Sequence, residues 1–145
     1  MEALNYDERL KLDTDENPDR LSSEIVISSF AEDPDCQAPQ VSVLVPVYNA
    51  AKYLDECMAS VLGQKDVTFE IVCVDDGSTD SSLSLLRGYQ ENNECIRVVS
   101  KLNGGAASAR NVAMSLAKGE YLAFIDPDDY FASDDSLAKL YSAAK

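Results

Sequence analysis

The sequence contains no histidine, no Cys-x-x-Cys pair and no apolar run long enough to cross a membrane. The lack of histidine excludes Ser-His-Asp triads and imidazole metal sites, so any metal here must be a hard cation on oxygen ligands. A spanning helix needs about 20 apolar residues, and the amino-terminal stretch lacks the charged, apolar and small regions of a signal peptide. We expect a soluble, cytoplasmic protein without a transmembrane segment, which partners could bring to the inner face of the membrane.

Basic residues are also few, with 12 Lys and Arg against 26 Asp and Glu and a formal net charge of -14. Such a charge repels nucleic acid and anionic membranes, so we expect no nucleic-acid partner. The four cysteines are far apart in sequence, and two of them lie in apolar periodic segments. We therefore expect reduced, packed thiols rather than a disulfide framework.

The chain has 145 residues, about the length of one domain, and its composition changes near Pro39. Residues 1–40 hold 11 acidic and 3 basic side chains, many turn formers, and one apolar cluster from Glu24 to Phe30. We predict that this acidic leader is largely disordered, or ordered only against a partner. Residues 41–145 form the predicted domain.

From Val41 onward, short apolar runs alternate with segments of helical periodicity. The patterns predict strands over 41–47, 69–74, 96–99 and 121–125. They predict helices over 51–62, from about 79, over 106–117 and over 134–144, with Ser78 or Thr79 as an N-cap. This alternation is typical of an α/β fold with an open, mainly parallel, Rossmann-like sheet flanked by helices. Ligands of such sheets bind beyond the carboxyl ends of the strands.

Two predicted strand ends carry groups suited to charged ligands. The adjacent carboxylates of Asp75 and Asp76 repel each other unless they share a cation or a hydrogen-bond donor, and a plain turn explains them poorly. Gly104 and Gly105 precede a helix and let backbone N–H groups point outward, which suits an anion such as phosphate; a simple helix-entry turn also explains them. Neither the P-loop nor the dinucleotide-binding glycine pattern is present.

The last predicted strand ends in three carboxylates within four residues, Asp126, Asp128 and Asp129. At the end of a buried strand these groups repel each other unless a divalent cation neutralises them. Oxygen ligation favours Mg2+ or Mn2+, bound by one or two carboxylates together with substrate phosphates. The alternative, a solvated acidic turn, is our interpretation of Asp134 and Asp135.

Four motifs occur in a fixed order: Val-Ser-Val-Leu-Val-Pro-Val-Tyr-Asn at 41–49, Val-Asp-Asp-Gly-Ser-Thr-Asp at 74–80, Asn-Gly-Gly-Ala-Ala-Ser-Ala-Arg-Asn at 103–111 and Phe-Ile-Asp-Pro-Asp-Asp at 124–129. Together they closely resemble the family 2 glycosyltransferases of the GT-A fold. The resemblance implies a divalent-ion-dependent, inverting transfer of sugar. The donor it implies is a nucleotide-sugar, usually a UDP-sugar, and the acceptor is an unknown glycan, lipid or protein.

The resemblance also implies roles for single residues. The implied nucleotide-binding residues are Pro46, Val47, Tyr48, Asp75, Asp76, Asn103, Arg110 and Asp126, and the implied metal ligand is Asp128. Within this set we expect Asp76 to contact uracil and Asp126 to face the ribose. Asp128 is expected to hold the ion that bridges the diphosphate.

No general base is identified, because in this family that carboxylate lies well downstream of the Asp-x-Asp motif. We therefore expect these 145 residues to be the donor-binding half of an enzyme, inactive or slow alone. We also expect exposed apolar surface and self-association, with the segment from Ile25 to Phe30 covering an open sheet edge.

A non-catalytic nucleotide-sugar-binding or regulatory module is the main alternative. A Mg2+-dependent phosphohydrolase and a phosphoacceptor receiver domain fit less well, because both carry their acidic pair after the first strand.

Overall fold

The computed structural model describes residues 38–145 and, before them, the two-residue strand Val26–Ile27. The expected disorder of the acidic leader and the state of Cys36 lie outside the described residues. Within the described part of the chain, Cys57, Cys73 and Cys95 are free thiols, as expected. No helix of that part is long and apolar enough to cross a membrane.

Strands and helices alternate along the described chain, with the following bounds. The strands are β1 (Val26–Ile27), β2 (Val41–Val47), β3 (Phe69–Asp76), β4 (Ile96–Lys101) and β5 (Tyr121–Phe124). The helices are α1 (Ala51–Leu62), α2 (Ser82–Asn92), α3 (Ala106–Leu116) and α4 (Ser136–Ala144). The sheet order is β1-β4-β3-β2-β5; β2 to β5 are mutually parallel, whereas β1 is antiparallel to β4. The predicted mainly parallel sheet is confirmed.

The sheet lies between two layers of helices. Alternate residues of each strand face opposite sides of the sheet, and each side packs against one layer. One face packs against α1, α2 and α4 through side chains such as Val43, Leu54 and Leu137. The other face packs against α3, where Ala109 and Ala113 are fully buried. Because alanine adds little bulk, α3 approaches the sheet closely. This arrangement leaves the carboxyl ends of β2 to β5 together at one edge.

Pro46 lies in a central strand and still breaks no pairing. Proline cannot donate to the strand ladder, but β5 pairs with β2 only as far as Leu44, to which Ile125 donates its N–H. Pro46 follows Leu44 by two residues and therefore faces the side from which β5 has already departed.

The two sheet edges differ. Val26–Ile27 pairs with the outer edge of β4, within the apolar segment predicted to cover an open edge. Among the described residues, β5 forms the opposite edge, and Leu122 and Phe124 are 44% and 49% exposed. The expectation of a buried last strand is therefore wrong: α3 covers β2 and β3 and leaves this face of β5 exposed.

Two helices begin later in the chain than predicted. Helix α2 begins at Ser82, not near Thr79, and its N-cap position is Ser81, which makes no side-chain cap. Ser78 and Thr79 instead bind the chain after β2, so neither acts as the predicted N-cap. Helix α4 begins at Ser136.

At the opposite, amino-terminal edge of the sheet, a buried polar cluster fixes the chain before β5. Ser42 Oγ donates to Glu70 Oε1 at 2.6 Å, and the Gly119 N–H donates to Ser42 Oγ at 2.7 Å. Arg97 forms an ion pair with the other Glu70 oxygen at 3.2 Å. This cluster is far from the carboxyl edge and belongs to the frame of the sheet.

Candidate functional site

The chain after β2 forms one wall of the carboxyl edge. Pro46 is half-buried and Val47 is buried, whereas the Tyr48 side chain is 51% exposed. Asn49 follows with φ of 49°, a left-handed conformation that asparagine tolerates better than most residues. The turn at Asn49 therefore presents an exposed aromatic ring beside the strand ends.

Asn49 ties this wall to the loop after β3. Its Oδ1 accepts hydrogen bonds from the backbone N–H groups of Thr79 at 2.8 Å and Asp80 at 3.3 Å. Its own N–H donates to Ser78 Oγ at 2.9 Å. These bonds fix the loops after β2 and β3 relative to each other.

Asp76 is the most fully engaged carboxylate of the edge. Lys101 Nζ donates to its Oδ1 at 2.7 Å, and both side chains are 4% exposed. The N–H groups of Gly104 and Gly105 donate to its two oxygens at 3.0 and 2.9 Å. The anion bound by the two glycine N–H groups is therefore Asp76 itself, and both groups are used in this helix-entry turn.

Glycine is required around Asp76 because two loops meet there. Gly77 has φ of +74°, and a Cβ on it would lie 2.7 Å from the backbone nitrogen of Asn103. A Cβ on Gly104 would lie 2.8 Å from Lys101 Nζ. Asn103 completes the contact by donating from Nδ2 to the Asp76 carbonyl at 3.1 Å. Asn103 thus braces the loop after β3 through its amide.

Asp75 is buried like its neighbour, at 1% exposure, but it is bonded differently. Its Oδ2 accepts a hydrogen bond from the Ser78 N–H at 3.2 Å. Its Oδ1 is buried and accepts no hydrogen bond from the residues that the structure describes. An unsatisfied buried carboxylate oxygen is costly, so Asp75 is the member of the pair that still lacks a donor.

Lys101 was missed by the sequence analysis, although a signal for it exists. It is the last residue of β4, and in the parallel register it lies directly opposite Asp76. A lysine that ends an apolar strand beside a strand ending in two aspartates is the cation that such a pair needs. The clue requires the strand order, which the sequence analysis did not assign.

The chain after β5 carries the acidic cluster, which we define as Asp126, Asp128 and Asp129. One carboxylate oxygen from each lies within 4.8 Å of the others, and all three residues are exposed. Arg110 of α3 forms an ion pair with Asp126 at 3.6 Å. Three carboxylates against one guanidinium leave two formal negative charges uncompensated.

A hard divalent cation fits this donor set. Mg2+ takes oxygen ligands in octahedral geometry, in which opposite oxygens are about 4 Å apart, and it keeps several waters or phosphate oxygens. The three carboxylates lie near enough to each other to contribute oxygens to one ion after side-chain rotation, and their uncompensated charge matches that of the ion. The family resemblance gave Asp129 no role of its own, yet the structure places it beside Asp126 and Asp128.

The negative charge of the acidic cluster also affects a buried thiol, that of Cys57. Burial, and after it the negative charges of Asp129, Asp128 and Asp126, raise the pKa of the Cys57 thiol to about 11. The thiol therefore stays protonated at neutral pH. In that form it donates to the Asp126 carbonyl at 3.8 Å.

The predicted site residues thus fall into three groups at one edge. Asp75, Asp76 and Asn103 lie at the ends of β3 and β4, joined by the bonds around Asp76. Arg110, Asp126 and Asp128 lie on α3 and after β5. Pro46, Val47 and Tyr48 end β2, the strand between β3 and β5 in the sheet order.

Comparison with known proteins identifies relatives of this chain. The family model described as "Glycosyl transferase family 2" matches residues 42–145. The hyaluronan synthase of Pasteurella multocida is 44% identical over 98 residues, which are 68% of this chain and 10% of the synthase.

Two solved structures have the same fold. Staphylococcus aureus TarS 1-349, in complex with UDP, has a TM-score of 0.64 at 35% identity and covers 71% of this chain and 31% of its own. The mannosyltransferase PcManGT from Pyrobaculum calidifontis, in complex with GDP-Man and Mn2+, has a TM-score of 0.67 at 28% identity and covers 97% of this chain and 41% of its own. The chain therefore spans less than half of each of these relatives, and its predicted GT-A fold is confirmed.

Proposed function

The chain belongs to glycosyl transferase family 2, and from this premise we propose that its carboxyl edge binds the nucleotide-sugar donor of an inverting, metal-dependent transferase, most simply a UDP-sugar. The observation that carries the choice of nucleotide is the buried, unpartnered Oδ1 of Asp75. In uracil, N3–H is a donor between two carbonyl groups, and a carboxylate acceptor matches it. A charge-assisted bond of this kind contributes about 1.5 to 3 kcal/mol.

We assign the base contact to Asp75 and not to Asp76, which the sequence analysis favoured. Asp76 already accepts three hydrogen bonds and neutralises Lys101. A base could reach it only by displacing those donors. In this proposal Asp76 holds the glycine loop in place, and Tyr48, half exposed after β2, offers its ring and backbone to the nucleoside.

The diphosphate is proposed to lie beside the acidic cluster. Asp128 and its neighbours Asp126 and Asp129 would hold the divalent ion. In support, TarS 1-349 is solved with UDP, and PcManGT is solved with GDP-Man and Mn2+. When bound, the ion supplies Lewis-acid stabilisation of the departing diphosphate. Arg110 places a further positive charge at this point, and Asp126 orients the guanidinium through their ion pair.

In the proposed reaction the bond between the anomeric carbon and the diphosphate breaks as an acceptor hydroxyl oxygen bonds to the opposite face of that carbon. The diphosphate leaves with the bonding pair, and a base takes the hydroxyl proton. The described residues contribute donor binding and leaving-group stabilisation. The base is not assigned within this chain.

The wider role follows the relatives. The similarity to a hyaluronan synthase supports polysaccharide synthesis, with a glycan, lipid or protein acceptor. We propose residues 41–145 as the donor-binding domain, residues 1–40 as an acidic leader, and a cytoplasmic location. The exposed Leu122 and Phe124 support the self-association that the sequence analysis expected.

Nucleotide discrimination tests the proposal. We expect UDP to bind more tightly than CDP in calorimetry with Mn2+, because cytosine presents an acceptor where uracil presents a donor. Guanine also carries ring donors, so GDP decides between a uridine and a guanosine donor. Equal affinity for all three nucleotides would contradict the role of Asp75.

The main alternative is a nucleotide-sugar-binding module without catalysis. Binding cannot separate the two functions, whereas turnover can. Transfer of labelled sugar from the preferred donor to an added glycan acceptor, lost in Asp128→Asn, would establish the enzyme. Tight donor binding without transfer in the full-length protein would favour the module.

A further inference from the structure

We propose that Ser60 and Gln64, at the carboxyl end of α1, are positioning residues that hold the acidic cluster in its ion-binding arrangement. The ion-binding part of this inference rests on the proposed function. The contacts on which it depends belong to the described fold.

The acidic cluster lies in a segment without regular secondary structure. Residues 125–135, between β5 and α4, form neither strand nor helix. One turn closes within the segment, where the Asp129 N–H donates to the Asp126 carbonyl at 2.9 Å. Its other backbone groups need partners outside the turn or in solvent. The cluster itself adds repulsion, since its three carboxylates are close together.

Gln64 supplies partners from one buried side chain, which is 7% exposed. Its Nε2 donates to the Ser133 carbonyl at 2.7 Å and to the Ser60 carbonyl at 3.0 Å. Its Oε1 accepts from the Leu137 N–H at 2.9 Å. Both amide protons and the oxygen are therefore used, and they join the end of α1 to the segment and to the first turn of α4.

Ser60 makes a similar contact closer to the acidic cluster. Its Oγ accepts from the Phe131 N–H at 3.0 Å and donates to the Cys57 carbonyl at 2.7 Å. Phe131 follows Asp129 by two residues. Since Cys57 also contacts the Asp126 carbonyl, the acidic cluster lies between two points fixed on one face of α1.

The chemistry requires these side-chain types. A primary amide is the neutral group that donates and accepts at the same time with this reach. Glutamate at position 64 would set a carboxylate against two carbonyl oxygens, and methionine would leave buried carbonyl and N–H groups unpaired. Loss of either contact should widen the spacing of the three carboxylates.

Hydrogen exchange tests the structural part without any ligand. In Ser60→Ala and Gln64→Met we expect the hydrogen-bonded amides of Asp129 and Phe131 to exchange about tenfold faster than in the parent, an opening of about 1.4 kcal/mol. Ser60→Thr keeps the hydroxyl and should exchange like the parent. Unchanged exchange in both Ser60→Ala and Gln64→Met would overturn the inference.

Calorimetry of UDP in Mn2+ and in EDTA tests the ion-binding part. The dissociation constant in EDTA divided by that in Mn2+ measures the gain from the ion. This ratio should fall about tenfold in Gln64→Met and Ser60→Ala, within the range known for residues that orient metal ligands. Affinity in EDTA should not change. Val98→Ala, a core substitution on β4, is the control for general destabilisation and should keep the parent ratio.

The outcomes separate the two proposals. A parent protein without any Mn2+ effect would refute the metal-dependent function, while hydrogen exchange still decides the positioning role. A parallel loss of affinity in Mn2+ and in EDTA would show general damage to the site and overturn the positioning role.

Discussion

Alanine substitution of the two adjacent aspartates should produce opposite phenotypes. Asp76→Ala removes a carboxylate that accepts three hydrogen bonds and leaves the Lys101 ammonium buried at 4% exposure without its counter-ion. Breaking one side of a buried pair costs about 3 to 5 kcal/mol. Asp75→Ala loses one hydrogen bond of 3.2 Å together with a buried oxygen that has no partner, so its cost should stay within about 1 kcal/mol.

Urea unfolding followed by circular dichroism measures this difference, since the chain lacks tryptophan. With a slope of about 1 to 3 kcal/mol per molar urea, the midpoint of Asp76→Ala should fall by at least about 1 M. Adding Lys101→Met to Asp76→Ala should restore part of the loss, because the unpaired charge is then removed.

UDP binding should respond in the reverse order. Asp75→Ala should raise the dissociation constant about 10- to 150-fold, the equivalent of about 1.5 to 3 kcal/mol. A parental midpoint for Asp76→Ala, combined with lost UDP binding in that variant alone, would refute the reasoning and return the base contact to Asp76.

Two further predictions concern stability. Hydrogen bonding, chiefly from Ser82, lowers the pKa of Asp80 from 3.8, so the unfolded chain binds the proton more tightly and the contribution of Asp80 is lost as pH falls through that region. Asp80→Asn should therefore show a smaller drop in urea midpoint between pH 6 and pH 3 than the parent; equal drops would contradict this. Gly119→Ala would place a Cβ 2.5 Å from the Ser42 nitrogen and should cost about 1 to 3 kcal/mol. Gly88→Ala, in the open on α2, should stabilise by up to about 1 kcal/mol, and similar midpoints for these two variants would refute the steric argument.

The strands and helices could be predicted from sequence because their apolar residues follow strict periods. Leu54, Cys57, Met58 and Val61 recur at helical spacing, and all four are buried on α1. The helix starts were less predictable: Ser78 and Thr79 have the residue types of N-caps, but the tertiary contact with Asn49 uses their polar groups instead.

The partners of the site residues could not be predicted, because they depend on strand order. Asp75 and Asp76 look alike in sequence, and only the register of β3 against β4 brings Lys101 opposite Asp76. The glycine loop then closes on Asp76. Gln64 follows a helix and resembles a surface residue until the segment after β5 packs over it.

The proximity of the three carboxylates in the acidic cluster could be predicted from their sequence spacing, and the structure brings all three together. The cation site that they predict stays a prediction. The prediction that β5 is buried was wrong. Burial depends on which residues cover the strand, and the sequence pattern of one strand does not encode that.

The most direct test of the central claim is calorimetric titration of UDP in the presence of Mn2+ and in EDTA. We predict tighter binding with Mn2+, loss of that gain in Asp128→Asn, and its retention in Asp134→Asn, whose side chain pairs with Lys65 outside the acidic cluster. Equal UDP affinity in Mn2+ and EDTA for the parent protein would contradict a metal-bridged nucleotide site at the carboxyl edge.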